Sequence, residues 1–322
     1  MDSLERSFWL HASLAAQSQR GYWGPHFAPS AVPSEDHIRN AARLLTETYA
    51  ANRLYLVYHQ ECPSGDIEKV FCWWRQHCPR ETQLVPTVVL RMYDKENSPV
   101  FRSEELRRFV EFCRRSISDD LFAVYDVYSN REQGDSLQFL SQQYPKGLIR
   151  VGIQPDEVIA SPFNSAVQDT WSGVCHGTTN ADWLDRGFGA ETLRNWVDAR
   201  NRQSCPVAWD LIAVAWDYHA TERGGYPGYD DAARNMPLPA GRNRLAAKEI
   251  LHTARLGLLA GFSSDLLILQ ANSQHPARDG TSNSFYETLK RGTVYRGSFS
   301  EPFNEVAELF AEFRNGKTTV AD

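Results

Sequence analysis

The sequence predicts an α/β protein built as a single (β/α)8 barrel (TIM barrel), and three observations predict it. Short runs rich in β-branched and aromatic residues alternate with runs of helical period, which is the pattern of a mostly parallel sheet. Eight strand-like runs can be counted, and no Gly-rich turn follows an early one, so a dinucleotide-type open sheet fits less well. The length, 322 residues, lies within the span of one barrel with insertions. A doubly wound sheet is the alternative with the same alternation.

The first strand is expected at Phe8–Ser13. Ser34 then caps a helix that carries Ile38, Ala41, Ala42, Leu45 and Tyr49 on one face. Arg53–His59 reads as the second strand, and a helix bearing Ile67, Val70, Phe71 and Trp74 follows it. Leu84–Met92 is the third strand, and Ser103 to Ile117 is an amphipathic helix whose Arg107, Arg108, Arg114 and Arg115 form its wet side. Leu121–Tyr128 is the fourth strand, Leu137, Leu140 and Tyr144 mark the next helix, and Leu148–Ile153 is the fifth strand. The barrel is irregular around strands five and six, because few residues separate the fifth strand from the sixth at Ala166–Trp171. A helix from Ala190 to Arg202 leads to a seventh strand within Val207–Trp216. The loop from Tyr218 to Asn243 is long enough to act as a flap, and a helix from Gly241 to Leu259 follows it. Leu266–Gln270 is the eighth strand, and Phe303, Val306, Leu309 and Phe310 mark a closing helix.

Composition removes several function classes. A net charge of -6 argues against nucleic acid or an anionic membrane as partner. No segment has the apolar length to cross a bilayer, and Met1–Arg6 lacks the features of a signal peptide. The chain therefore reads as cytoplasmic, or as secreted if a leader has been removed. Cys62, Cys72, Cys78, Cys113, Cys175 and Cys205 show no CxxC spacing and read as reduced thiols. No phosphate-binding loop, cofactor motif or nucleophile elbow is present, so no cofactor is expected.

In a parallel barrel, chemistry sits where the strands end. Read in order, the ends hold His11 and Ser13; His59 and Glu61; Arg91, Tyr93 and Asp94; Asp126 and Tyr128; Gln154; Asp169 and Trp171; Trp216 and Asp217; Gln270 and Asn272. The opposite ends begin with ordinary loop residues such as Asn52, Asp119, Asp120 and Gly147. This asymmetry predicts a polar, aromatic-lined cleft at one end. Sugars suit such a cleft, because their apolar faces stack on Trp and Tyr and their hydroxyls pair with Asp, Asn, Gln, His and Arg. Tyr93, Trp171 and Trp216 are expected to stack on sugar rings, with His11, His59, Arg91, Gln270 and Asn272 bonding hydroxyls.

Glycosidic cleavage needs two carboxyl groups. Asp126 is the first candidate, because an ionised side chain inside LFAVYDVY is costly unless the barrel mouth uses it. Asp217 and Asp169 are its candidate partners. Asp217 shares alternation parity with Ala213 and Ala215, and Asp210 is the rival if the seventh strand ends early. In general plan the chain resembles the barrel-type glycoside hydrolases. Tyr125-Asp126-Val127-Tyr128 stands where the clan with Glu after strands four and seven carries Asn-Glu, and the chitinase-type DxxDxDxE signature is absent. The retaining clan with an Asp nucleophile on strand four and an Asp acid near strand six is more similar; that resemblance implies such roles for Asp126 and Asp169. Two alternatives stay open. One is a metal-dependent barrel isomerase or hydrolase using His59, Glu61, Asp94 and Asp126; the other is a barrel that binds saccharide without turnover.

Overall fold

The computed structural model describes residues 6–14, 33–58, 64–89, 103–126, 134–144, 147–151, 165–169, 207–210, 267–270 and 289–293. Its elements run β1 (Arg6–His11), α1 (Glu35–Arg43), β2 (Arg53–Tyr58), α2 (Ser64–His77), β3 (Gln83–Val89), α3 (Ser103–Ser116), β4 (Ala123–Asp126), α4 (Gly134–Gln143), β5 (Leu148–Val151), β6 (Ser165–Asp169), β7 (Val207–Asp210) and β8 (Leu267–Gln270). The sixth strand, expected after an irregular connection, is in place between β5 and β7. The first strand lies two residues earlier than expected. Ala12 and Ser13 belong to a turn in which the Ala12 N–H donates to the Val57 carbonyl at 3.0 Å. The helices expected after β6, the loop at 218–243 and the closing helix lie outside the described residues.

All eight strands are parallel and follow one another in a single direction, β7-β6-β5-β4-β3-β2-β1-β8. Crossovers between parallel strands are right-handed, so a one-directional order sends every crossover helix to the same face of the sheet. The other face must then be covered by the sheet itself. It is covered: Ser7, Tyr55, Val57, Val85, Thr87 and Ala123, which alternate with the helix-facing residues, are all buried. The two ends of the strand order, β7 and β8, approach within 8 Å between Cα atoms. The sheet curls upon itself as a barrel, with a parallel strand buried on both faces as such sheets require.

The helix layer forms where the sequence places apolar residues at helical spacing. Ser34 is extended and its hydroxyl accepts from the His37 N–H at 3.2 Å, which caps α1. Ile38, Ala41, Ala42, Leu45 and Tyr49 are buried together, the last two after the helix widens into a π-helical turn at Leu44–Thr48. Thr46 Oγ1 donates back to the Ala42 carbonyl at 2.8 Å within that turn. Ile67, Val70, Phe71 and Trp74 line the buried face of α2, and Leu106, Phe109, Val110, Phe112 and Cys113 that of α3. Full burial of each large apolar side chain contributes about 1.5–3 kcal/mol. Arg107, Arg108, Arg114 and Arg115 are exposed, as the amphipathic reading of α3 requires.

Two details show how local chemistry accommodates the sheet. Pro86 lies within β3, and β4 pairs with β3 only from Thr87 onward, so its missing N–H falls before that ladder begins. At the N-terminal end of the strands, Arg53 Nε donates to Gln83 Oε1 at 2.7 Å and Arg53 Nη1 to the Tyr55 hydroxyl at 3.3 Å. Among the described residues no helix is long and apolar enough to cross a membrane.

Candidate active site

The register decides which strand ends can work together. Tyr58 packs on Phe109 of α3, with ring centroids 4.6 Å apart, and Phe8 stacks on Tyr49 beyond α1 at 6.2 Å. Both residues belong to one alternating set, because Phe8 pairs with Leu54 and Tyr58 lies four residues beyond Leu54. That set is the helix-side face. Tyr58 pairs with Val88, then in turn Val124, Ile149, Ala166 and Val207 complete the row. The alternate set, on the inner face, runs from His11 through Val57, Thr87, Ala123 and Leu148 to Ser165.

The candidates divide between the two faces. Asp126 pairs with Val151, which pairs with Gln168 and then Trp209. This row lies two residues beyond Val124 and so has the helix-side parity. Asp169 pairs directly with Asp210, one residue further along, on the inner-face parity. His11 on β1 and Gln270 on β8 hold inner-face positions too, since His11 pairs with Val57 and Gln270 with Trp9. The backbone thus brings His11, Asp169, Asp210 and Gln270 to one end and one face of the sheet. Asp126 shares the end but not the face.

β7 is described over Val207–Asp210, so Asp210 lies within it, while Asp217 lies outside the described residues. His59, Glu61, Arg91, Tyr93, Asp94, Tyr128, Trp171, Trp216, Asp217 and Asn272 lie outside the described residues. Among the described residues, no group of three or more His, Cys, Asp or Glu is arranged to hold a metal ion.

One inner-face residue escaped the sequence reading. Arg150 on β5 pairs with Tyr125 and Val167, two residues short of the Asp169 level on the same parity. The available signal was a lone charge at an alternate position in the apolar strand LIRV.

No family model matches the sequence, and no curated protein matches it. Among solved structures, the chain is similar to N-acetylneuraminate lyase from Fusobacterium nucleatum, at 8% identity over 97% of this chain and 82% of that one, TM-score 0.39. It is similar to AmyP in complex with maltose, at 11% identity over 96% and 78%, TM-score 0.45. Haloferax volcanii malate synthase, as a lead(II) complex, gives 12% identity over 98% and 80%, TM-score 0.45. Likenesses this loose carry no argument about activity, and the barrel rests on the strand order and burial described above.

Proposed function

We propose that this chain is a (β/α)8-barrel enzyme acting on carbohydrate, a glycoside hydrolase-like protein whose carboxyl pair is Asp169 and Asp210. The observation that carries the reading is the direct pairing of these two aspartates at the C-terminal ends of adjacent parallel strands. Paired positions on neighbouring strands lie about 4.8 Å apart. Two carboxyl-bearing residues side by side on adjacent strands are the arrangement that glycosidic cleavage by a carboxyl pair needs. His11 and Gln270 stand at the same end and face to bond sugar hydroxyls. In this reading Tyr93, Trp171 and Trp216 supply stacking surfaces, and His59, Glu61, Arg91, Asp94, Tyr128, Asp217 and Asn272 supply polar contacts from the strand ends. Asp126, on the other parity, supports the mouth rather than the reaction.

The test is hydrolysis of a panel of oligosaccharides and aryl glycosides. Asp169→Asn and Asp210→Asn should each lower kcat by about 10²–10⁴-fold, with Asp126→Asn costing less than either. Proton NMR of the first-formed product reads whether the anomeric configuration is retained or inverted. Full activity in either Asp169→Asn or Asp210→Asn would overturn the pair. Loss of activity on chelation, restored by one divalent ion, would favour the metal-dependent reading instead. Saccharide affinity without turnover would leave a binding barrel.

A further inference from the structure

Two described residues other than glycine have a left-handed backbone, Ala50 at φ +55° and Leu14 at φ +50°. Ala50 ends a helical run, where such a residue is ordinary. The N–H groups of Tyr49 and Ala51, on either side of it, return to the carbonyls of Leu44 and Leu45 at 3.0 and 2.9 Å. Leu14 ends no helix. It stands three residues past β1, at the C-terminal end of the strands, and is fully buried. A strained leucine persists only where its surroundings hold it. Here the hold is on Ala12, whose N–H donates to the Val57 carbonyl at 3.0 Å and whose carbonyl accepts from Trp74 Nε1 at 2.8 Å. Ser13 lies between the anchored Ala12 and the strained Leu14, and is 5% exposed. Thr46 and Thr87, buried like it, give their hydroxyls to the carbonyls of Ala42 and Val85. The Ser13 hydroxyl has no hydrogen-bond partner among the described residues. It is not sealed in either: of the described side chains, the polar atom that is both enclosed and unpartnered is His37 Nδ1. A hydroxyl neither bonded nor sealed, on a turn fixed at both sides, is open to a molecule from outside as donor and acceptor.

We propose that Ser13 is a substrate-binding residue whose hydroxyl bonds a sugar hydroxyl, and that Trp74 is a positioning residue that holds it there through Ala12. The sugar as ligand rests on the carbohydrate reading above. Such a partner suits the site, because a sugar hydroxyl both gives and accepts a proton and asks for no charge in return. The strain at Leu14 then has a use. A turn fixed before the ligand arrives loses little freedom on binding it, so more of the hydrogen bond is left as affinity.

The experiment is a double-mutant cycle on Ser13→Ala and Trp74→Phe. Each variant is read by urea denaturation and by KM and kcat on the best aryl glycoside of the panel. Ser13→Ala should keep the wild-type urea midpoint, since no bond within the protein is lost. It should raise KM by about 3–10-fold, the worth of one neutral hydrogen bond, and change kcat less. Trp74→Phe should lower the midpoint and raise KM, but in the Ser13→Ala background it should lower the midpoint alone. An unchanged KM in Ser13→Ala, or a midpoint that falls clearly, overturns the Ser13 assignment and leaves the carbohydrate reading standing. A rise in KM from Trp74→Phe that is the same in both backgrounds overturns the positioning role. If Trp74→Phe does not fold, Ser13→Ala decides the proposal by itself. If no glycoside is cleaved, methyl glycosides and disaccharides are titrated by calorimetry, with Kd read in place of KM. A wild-type protein that neither cleaves nor binds any of them overturns the substrate reading, and the sugar contact with it.

Discussion

Trp74 links the helix layer to the barrel mouth through one atom. It is fully buried, and its Nε1–H donates to the Ala12 carbonyl at 2.8 Å, in the turn that follows His11. Trp74→Phe keeps the ring packing but leaves that carbonyl without its donor, and should cost about 1–3 kcal/mol in urea denaturation. Trp74→Ala should cost about 3–5 kcal/mol by opening a cavity as well. The thiols give a second prediction. Burial pushes Cys78 up from 9.0 to about 12, against a smaller lowering by Arg75. Burial likewise raises Cys113, helped by Glu68 and Cys72, and raises the Tyr144 hydroxyl, helped by Cys113 and Asp119. An acid whose folded pKa is raised stabilises the fold fully below its unfolded pKa, and the contribution is lost as pH rises through the folded value. Stability should therefore fall from about pH 9 towards 12, and Cys78→Ala should flatten part of that decline in denaturation curves recorded across the range. The exposed Cys72 should be alkylated ahead of buried Cys78 and Cys113. At this scale the sequence placed His11, Asp126, Asp169 and Gln270 within strands, and each belongs to a described strand. It did not tell which of them share a face. That depends on the offset between neighbouring strands, which no single strand encodes.

Elements were legible where their own period carried the information. The buried faces of α1 and α2 contain the residues that helical spacing selects, and Ser34 caps α1 as its position before an acidic first turn predicts. Contacts between elements distant in sequence were not legible. Asn40 Nδ2 donates to the Lys290 carbonyl at 2.9 Å, which fastens a short helical turn at 289–291 to α1 across most of the chain. Gly292 ends that turn at φ +67°, and a β-carbon there would stand 2.9 Å from the Asn40 Cβ. Gly292→Ala is strained by both backbone and contact. It should destabilise by about 1–3 kcal/mol, with the loss centred on hydrogen-exchange protection in α1. Asn40→Ala should lose less, about 0.5–1.5 kcal/mol, because only one hydrogen bond goes. Between α1 and α2 the link is polar: Glu35 accepts from Gln76 at 3.3 Å and lies 2.9 Å from the His77 ring, so small surface-type contributions are expected there.

For the molecule as a whole, alternation of strand and helix predicted a parallel sheet, and strand order with two-sided burial makes it a barrel. The pairing of β1 with β8 has a consequence in time rather than in space. β1 gains β2 as its neighbour within about fifty residues of chain, yet its other edge waits for Leu267–Gln270. During synthesis that edge has open N–H and C=O groups while more than half of the protein has still to leave the ribosome, and open edges are templates for wrong pairing. A chain stopped after β7 should therefore remain aggregation-prone even with seven strands made, measured by light scattering on release. Adding the segment through β8 should abolish the scattering. The last four-residue strand, small in area, is what makes the first one safe.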